Sequence, residues 1–205
     1  MPEPTQLSYF IVASFILIIA PGPDIIFLVS QSIHKGSRAG LLTAIGLASG
    51  NLVHTIIAAA GISALIISSP IALSTIKLLG AGYLLFLAYE AIRNNTKISG
   101  NNPIDSDDGS LFLRGLLMNV LNPKVSIFFI AFLPQFITAQ DKEISYQMIF
   151  YGITFTILVI VIFGIIGLFA GKLRKQMLNA ILESTYFNWA IAVVFVGLSI
   201  NILIN

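Results

Sequence analysis

The sequence predicts an all-α integral membrane protein, with six transmembrane helices arranged as a 3+3 inverted repeat. Of its 205 residues, 57% are hydrophobic and only 10% are charged, whereas soluble domains carry roughly 25% charged residues. The mean hydropathy is +0.93. Uncharged stretches recur at the length of about 20 residues that a helix needs to cross a bilayer. One polar stretch divides these apolar runs into three and three.

The chain is predicted to form a single transmembrane domain over residues 1–205. Its first half covers residues 1–92, a cytoplasmic linker covers 93–111, and the second half covers 112–205. The predicted spans are residues 4–29, 40–67, 71–92, 112–137, 145–170 and 186–204. The second and third spans share one uncharged run, and Ser68-Ser69-Pro70 supplies the break between them. The leader, Met1 to Ser8, has no Lys or Arg, so we expect a permanent first helix and not a cleaved signal peptide.

The positive charges predict the orientation of these spans. Loops carrying an excess of Lys and Arg stay on the cytoplasmic side. Lys142 alone falls in an even-numbered loop, whereas the odd-numbered loops hold Lys35, Arg38, Arg93, Lys97, Arg114, Lys172, Arg174 and Lys175. Both termini are therefore predicted to be periplasmic. The linker also holds an acidic patch, Asp105, Asp107 and Asp108, for which a solvated linker and a regulatory or cation-binding surface both stay open.

Two spans are interrupted by proline near their middle. Span 1 contains Pro21-Gly22-Pro23, and span 4 contains Pro123. Proline removes a backbone donor and clashes with the preceding helical turn. Irregular backbone at membrane depth is tolerated where protein buries it or where it lines a wet cavity. The two breaks are thus expected to meet at a polar site, with plain packing kinks as the alternative. Their similar motifs also predict the inverted repeat.

An ionisable residue follows each break, Asp24 in span 1 and Lys124 in span 4. Proline suits the first position of a helix, so new half-helices are predicted to start at Pro23 and Pro123. The positive end of the helix dipole favours Asp24 and disfavours Lys124. An uncompensated charge at mid-membrane costs roughly 2.5–3.5 kcal/mol. Lys124 therefore needs an anion, and the candidates are Asp24, a substrate carboxylate, or each in turn. A permanent Asp24–Lys124 tie that only fixes packing is the alternative.

Four further polar residues lie inside the spans. Asn51 and His54 are three residues apart on one face of span 2. They are candidates for binding substrate or carrying a proton, or for a simple hydrogen bond between helices. Asn119 and Asn122 flank the break in span 4, and we expect Asn122 to cap the new half-helix.

Other features of spans 2 and 3 suggest packing and interface roles. Gly46 and Gly50 form a G-x-x-x-G pair, which lets two helices approach closely. Lys77 and Glu90 lie near opposite ends of span 3, where we expect long side chains to reach the headgroups.

Several segments together resemble the LysE/RhtB family of amino-acid exporters. They are Ala20-Pro21-Gly22-Pro23-Asp24 and the stretches at residues 46–54, 79–88, 114–124 and 128–136. The resemblance covers residues 5–137, and spans 5 and 6 match in hydropathy. The family pattern carries over to Pro21, Gly22, Pro23, Asp24, Asn122, Pro123 and Lys124. The last helix departs from the Gly-rich pattern, with Phe187-Asn188-Trp189 before a single Gly197.

The resemblance implies a bacterial inner-membrane exporter of amino acids or derivatives. Lysine, threonine, homoserine or its lactone, leucine and cysteine-pathway compounds are such substrates. It also implies transport driven by proton antiport or the membrane potential. In the resulting hypothesis a zwitterionic substrate places its carboxylate near Lys124 and its ammonium near Asp24. Protonation of Asp24 on the outer side then favours release.

The sequence argues against several other classes. The small net charge of +2 gives no reason to expect a nucleic-acid partner, and the absence of Cys excludes thiolate chemistry. With no H-E-x-x-H motif and only His34 and His54, neither an enzyme nor a metal site or cofactor is predicted. A P-loop motif is also absent. The predicted partners are a small amino acid or derivative, the proton and the bilayer, and a homo-oligomer stays open. A membrane channel or a structural assembly subunit is the main alternative, and an intramembrane enzyme is a weaker one.

Overall fold

The computed structural model contains helices and no strand within the residues that it describes, which are 3–62, 70–93, 108–137, 144–170, 172 and 184–204. The helices are α1 (Pro4–Ile19), α2 (Pro23–Lys35), α3 (Ser37–Ile57), α4 (Pro70–Arg93), α5 (Asp108–Val120), α6 (Pro123–Ile127), α7 (Ile144–Ala170) and α8 (Thr185–Ile204). A π-helical turn, Ala58–Ile62, extends α3. After α6 the chain continues through the π-helical turn Phe128–Phe132 and the 3₁₀ turn Leu133–Phe136.

The described helices supply two to four candidate membrane spans. Ser37–Gly61 has 25 residues and Ile144–Ala170 has 27, and both are apolar enough to cross a bilayer. α1 and α2 form a pair bent by 59°, and a second pair, Gly109–Val120 with Pro123–Phe136, is bent by 50°. Each bent pair has the form of one broken span or of a re-entrant loop. The all-helical membrane architecture is confirmed, while the count of six spans and their repeat stay predictions.

Some sequence-based expectations fall outside the described residues. These are the break at Ser68 and Ser69, the linker residues 94–107 with Asp105 and Asp107, and the side chains of Lys77 and Asp108. The predicted helix starts can be compared directly. α2 begins at Pro23 and α6 begins at Pro123, each with proline in the first turn, so both predicted half-helix starts are confirmed.

The membrane-facing surface explains the extreme composition. Large apolar side chains stand exposed along the helices, for example Ile56 at 68%, Leu79 at 68% and Ile157 at 54%. A soluble monomer rarely exposes contiguous apolar surface on this scale. In a bilayer the same side chains face hydrocarbon at no hydrophobic cost.

α3 lies at the centre of the packing and contacts both α5 and α7, while α4 packs against α8. Small residues make the contact between α3 and α5 possible. A Cβ atom added at Gly46 would collide with the backbone carbonyl of Phe112, and one added at Gly50 would lie 2.5 Å from Oδ1 of Asn119. The G-x-x-x-G pair therefore serves the close helix approach that its spacing predicts.

An aromatic cluster fills one side of the broken helices. Its buried or half-buried rings are Phe10, Phe128, Phe129, Phe132, Phe136, Tyr151 and Phe155. The Phe128 and Phe155 rings stack with centroids 4.5 Å apart, and the Phe10 and Tyr151 centroids are 4.7 Å apart. Such contacts stabilise beyond the area that they bury. The cluster joins α1, the segment after α6, and α7.

We expect Gly46→Ala to destabilise the protein, because the new methyl group meets backbone atoms of α5 that cannot rotate away. Overpacking of this kind costs about 1–3 kcal/mol. The measurement is the thermal unfolding midpoint of purified protein in detergent. Gly82→Ala is the control, since a Cβ there meets no atom within 4 Å and alanine favours the helix. Equal midpoints for the Gly46 and Gly82 variants would contradict the close approach.

Candidate functional site

Lys124 lies at the junction of the two breaks. Its side chain is buried, and Nζ donates to the carbonyl of Leu17 at 3.1 Å and to that of Ala20 at 3.0 Å. In a continuous helix the Leu17 carbonyl would accept from the N–H of residue 21. That residue is Pro21, which has no N–H. The ammonium from α6 therefore occupies the place of the hydrogen bond that proline removed from α1.

Gly22 makes room for this ammonium. A Cβ atom at Gly22 would lie 3.2 Å from Nζ of Lys124 and 3.5 Å from its Cε. The side chain of any larger residue at this position would crowd the Lys124 ammonium. The glycine between Pro21 and Pro23 thus has a steric reason in addition to its flexibility.

Asn122 caps the second half-helix as predicted. Its Oδ1 accepts from the backbone N–H of Lys124 at 2.9 Å, which satisfies one of the N–H groups freed at the start of α6. Nδ2 of Asn122 has no hydrogen-bond partner of standard geometry among the described residues, although the side chain lies close to Asp24.

Asn119 joins the second break to the first half of the chain. Its Nδ2 donates to Oδ2 of Asp24 at 3.1 Å, and its backbone carbonyl lies 3.2 Å from Nε2 of His54. A carbonyl can only accept, so Nε2 carries the proton. The regular helical donor to the Asn119 carbonyl would be the N–H of residue 123, which is again a proline. His54 also stacks on the ring of Phe129, with centroids 5.5 Å apart.

Asp24, Asn51 and Asn119 form a buried polar cluster with unused hydrogen-bonding capacity. Within the described part of the chain, Oδ1 of Asp24, Oδ1 of Asn119 and both polar side-chain atoms of Asn51 have no partner. All three residues, together with Lys124, line a cavity of about 10 Å³. A space of this size is close to the volume needed for one water molecule. The cavity has room for about one water molecule and is too small to admit an amino acid.

Asp24 and Lys124 lie near each other without forming a direct ion pair. The contacts described for the Lys124 ammonium are with backbone carbonyls, and the donor described for Asp24 is Asn119. They do attract each other electrostatically across the small cavity. The structure brings together all six polar residues singled out from the sequence, but it does not show the permanent ion pair.

Lys124 also lines a much larger cavity of about 620 Å³. Both helix breaks line it through Pro21, Gly22, Pro23, Asn122, Pro123 and Lys124. Ile26, Phe86, Leu87, Ile191 and Phe195 supply an apolar wall. Its size and its mixture of apolar walls with few polar groups are typical of a small-molecule site. Asp24 is 2% exposed and is not among the residues that line it.

Three polar residues of this cavity were missed in the sequence. Tyr83 and Glu90 come from α4, and the buried Asn188 comes from α8. Glu90, which was expected to reach the headgroups, is exposed near the end of α4 and also lines this cavity. Its charge inside an apolar span was a usable signal for a functional residue. Asn188 stands where the sequence departs from the Gly-rich pattern of the family that it resembles.

The described residues offer no group of three or more His, Asp and Glu that could hold a metal ion. His34 is exposed near the end of α2, whereas His54 is buried. The arrangement places a cavity large enough for a small molecule next to the buried cluster of Asp24, Asn51 and Asn119.

Broken apolar helices that meet around buried charges, beside a cavity, define a multi-pass membrane protein of the translocator class. The chain belongs to the LysE type translocator family, whose sequence model matches residues 15–205. The resemblance to this family seen in the sequence is thereby confirmed.

Individual relatives agree with this assignment. Proteins named leucine efflux protein in Salmonella choleraesuis, Salmonella paratyphi A and Salmonella typhimurium are each 29% identical over 141 residues. The match spans 67% of this chain and 66% of each of those relatives, just under two thirds of their length. An uncharacterized membrane protein of Bacillus subtilis, YrhP, is 29% identical over 206 residues, or 95% of this chain and 96% of that protein. No solved structure matches the chain.

We expect Asp24 and Asn119 to be energetically coupled. Asn119→Leu removes the amide that donates to the buried carboxylate, and leaving such a group unsatisfied costs about 1–3 kcal/mol. In an Asp24→Asn background the same change should cost less, because no buried charge loses its donor. A double-mutant cycle on thermal stability in detergent measures the difference. Additive effects of the two substitutions would contradict the contact.

Proposed function

We propose that this protein is a secondary exporter of zwitterionic amino acids with apolar side chains, with leucine as the reference substrate, in the bacterial inner membrane. The observation that carries the proposal is the cavity of about 620 Å³, which is bounded by both helix breaks and has the Lys124 ammonium on its wall. The leucine efflux proteins among its relatives favour the same substrate class.

Lys124 is the proposed site for the substrate carboxylate. An ammonium has three donors, so Nζ can bind a carboxylate oxygen while it keeps the carbonyls of Leu17 and Ala20. Hydrogen bonds between charged groups are about twice as strong as neutral ones. The N-terminus of α2 adds its positive dipole next to the same cavity.

The apolar wall is the proposed site for the substrate side chain. Ile26, Phe86 and Leu87 approach the cavity from α2 and α4, and Ile191 and Phe195 approach it from α8. An isobutyl group gains hydrophobic free energy against such a wall, roughly 0.8 kcal/mol per buried CH₂. A lysine or threonine side chain would lose hydration there. Leucine and related amino acids therefore fit better than basic or hydroxylated ones.

A carrier fits this arrangement better than a channel does. The aromatic cluster of Phe10, Phe128 and Tyr151 and their neighbours fills the space on one side of the breaks, while the cavity opens elsewhere. Alternating access requires one closed and one open path at a time. The matching bends of 59° and 50° favour the 3+3 inverted repeat of six spans. The distribution of Lys and Arg favours periplasmic termini.

Asp24 is the proposed coupling group for proton antiport. It is buried beside Lys124, and its Oδ1 has no hydrogen-bond partner among the described residues. It also lines a cavity with room for about one water molecule. His54 and Asn51 complete this inner cluster. Ionised Asp24 offsets part of the positive charge of Lys124, whereas protonated Asp24 carries no charge and does not. Binding of a proton and binding of substrate at Lys124 are thereby linked.

Lys124→Ala should abolish leucine export, because the carboxylate loses its cation. Cells without their own leucine exporter are loaded with leucyl dipeptides, and external leucine is measured with and without an uncoupler. We expect a fall of about tenfold or more, the equivalent of one lost charge-assisted hydrogen bond. Lys172→Ala, at an exposed lysine outside the site, is the matched control, and immunoblots verify equal membrane abundance.

Full efflux from Lys124→Ala would refute the binding site. Leucine flux that never exceeds equilibration and ignores the uncoupler would instead favour a channel. An assembly subunit would show no leucine flux with or without the substitution.

Asp24→Asn should separate exchange from coupled transport. The amide keeps an oxygen that can accept from Asn119 but cannot take up and release a proton. In proteoliposomes we expect leucine/leucine exchange to persist and leucine accumulation driven by a pH gradient to disappear. Uphill accumulation by the Asp24 variant would rule out this residue as the coupling group.

A further inference from the structure

Among the described residues that line the large cavity, the charged ones are Lys124 and Glu90. They come from different helices, α6 and α4, and their charges are close enough to attract each other. A cavity with one cation and one anion on its wall is complementary to a zwitterion. Lys124 is assigned to the substrate carboxylate under the proposed function, and Glu90 supplies the negative charge on the wall of the same cavity.

Glu90 shares one face of α4 with two other residues that line the large cavity. Tyr83, Leu87 and Glu90 are spaced as i, i+4 and i+7, so they share one helix face. All three line the cavity. Glu90 itself is exposed, as is Leu79 on the same face at 68%. Glu90 is therefore an accessible carboxylate on the face of α4 that lines the cavity.

Asp24 is poorly placed to receive the substrate ammonium in this conformation. Its side chain is 2% exposed and contacts a cavity of about 10 Å³ behind Lys124. The large cavity offers Glu90 instead, with the amide of Asn188 and the phenol of Tyr83 also on its wall. A primary ammonium has three donors, and a carboxylate with neighbouring neutral oxygens can accept them.

We infer that Glu90 binds the ammonium group of the transported amino acid and thereby selects amino acids over the corresponding hydroxy and keto acids. This inference rests on the proposed function, since it concerns the same cavity. The substrate spans the cavity with its carboxylate at Lys124 and its ammonium at Glu90, and the side chain packs on the apolar wall. Asp24 then serves proton coupling without contacting the ammonium.

The test compares two ligands that differ only at the group in question. L-Leucine carries the ammonium, whereas (S)-2-hydroxy-4-methylpentanoate carries a hydroxyl in its place. Their affinities for the purified full-length protein in detergent are measured by calorimetry. We expect Glu90→Gln to weaken leucine binding about tenfold or more and to leave the affinity for the hydroxy acid unchanged. Glu90→Asp, which keeps the charge, should retain the preference for leucine.

Glu3→Gln is the matched control, because it removes an exposed carboxylate at the start of α1, outside the cavity. Size-exclusion profiles verify that each variant is folded. If the wild type prefers leucine and Glu90→Gln keeps that preference, or weakens both ligands equally, the assignment of Glu90 is wrong while the transport site stands. If Glu90→Gln does not fold, loss of the leucine preference in Glu90→Asp overturns the assignment. If the wild type binds neither ligand and exports no leucine, the proposed function itself fails.

Discussion

The hydrogen bond from Lys124 to the carbonyl of Leu17 is the constraint on which the site depends. Pro21 removes the N–H that this carbonyl would meet in a continuous helix, and an unpaired carbonyl in hydrocarbon costs several kcal/mol. A lysine at mid-membrane is itself costly without compensation. Each defect compensates the other, because the ammonium donates to the orphaned carbonyl at 3.1 Å. The charge is thus held in place by the backbone and stays available to a ligand.

The second break also has a side chain from the other half of the chain beside it. Pro123 leaves the carbonyl of Asn119 without its regular helical donor, and His54 from the first half of the chain approaches it at 3.2 Å. A group from the second half therefore completes the first break. At the second break the N–H of Asn122 donates to the Asn119 carbonyl at 3.0 Å, and His54 from the first half lies beside the same oxygen. Side-chain hydrogen bonds of this kind between helices are modest individually, about 0.6 kcal/mol on average. Within the proposed exporter, these contacts link movement of one break to movement of the other.

The two cavities that Lys124 lines differ in size and in the residues on their walls. The small one contacts Asp24, Asn51 and Asn119 and has room for about one water. The large one has apolar walls and Glu90. Lys124 lines both cavities, and in the proposed function it binds the ligand while Asp24 binds the proton. Within the proposed exporter, that shared residue is what links the two events.

The sequence by itself determined the features that local chemistry sets. Proline and glycine placed the breaks, Pro23 and Pro123 started the new half-helices, and Asn122 was identifiable as a cap. Only the tertiary structure decided that Lys124 contacts backbone carbonyls and that Glu90 lines the cavity. These facts depend on how each helix is rotated about its axis. In a membrane, lipid and protein interior are equally apolar, so a helix such as α7 carries little periodicity to reveal its inward face.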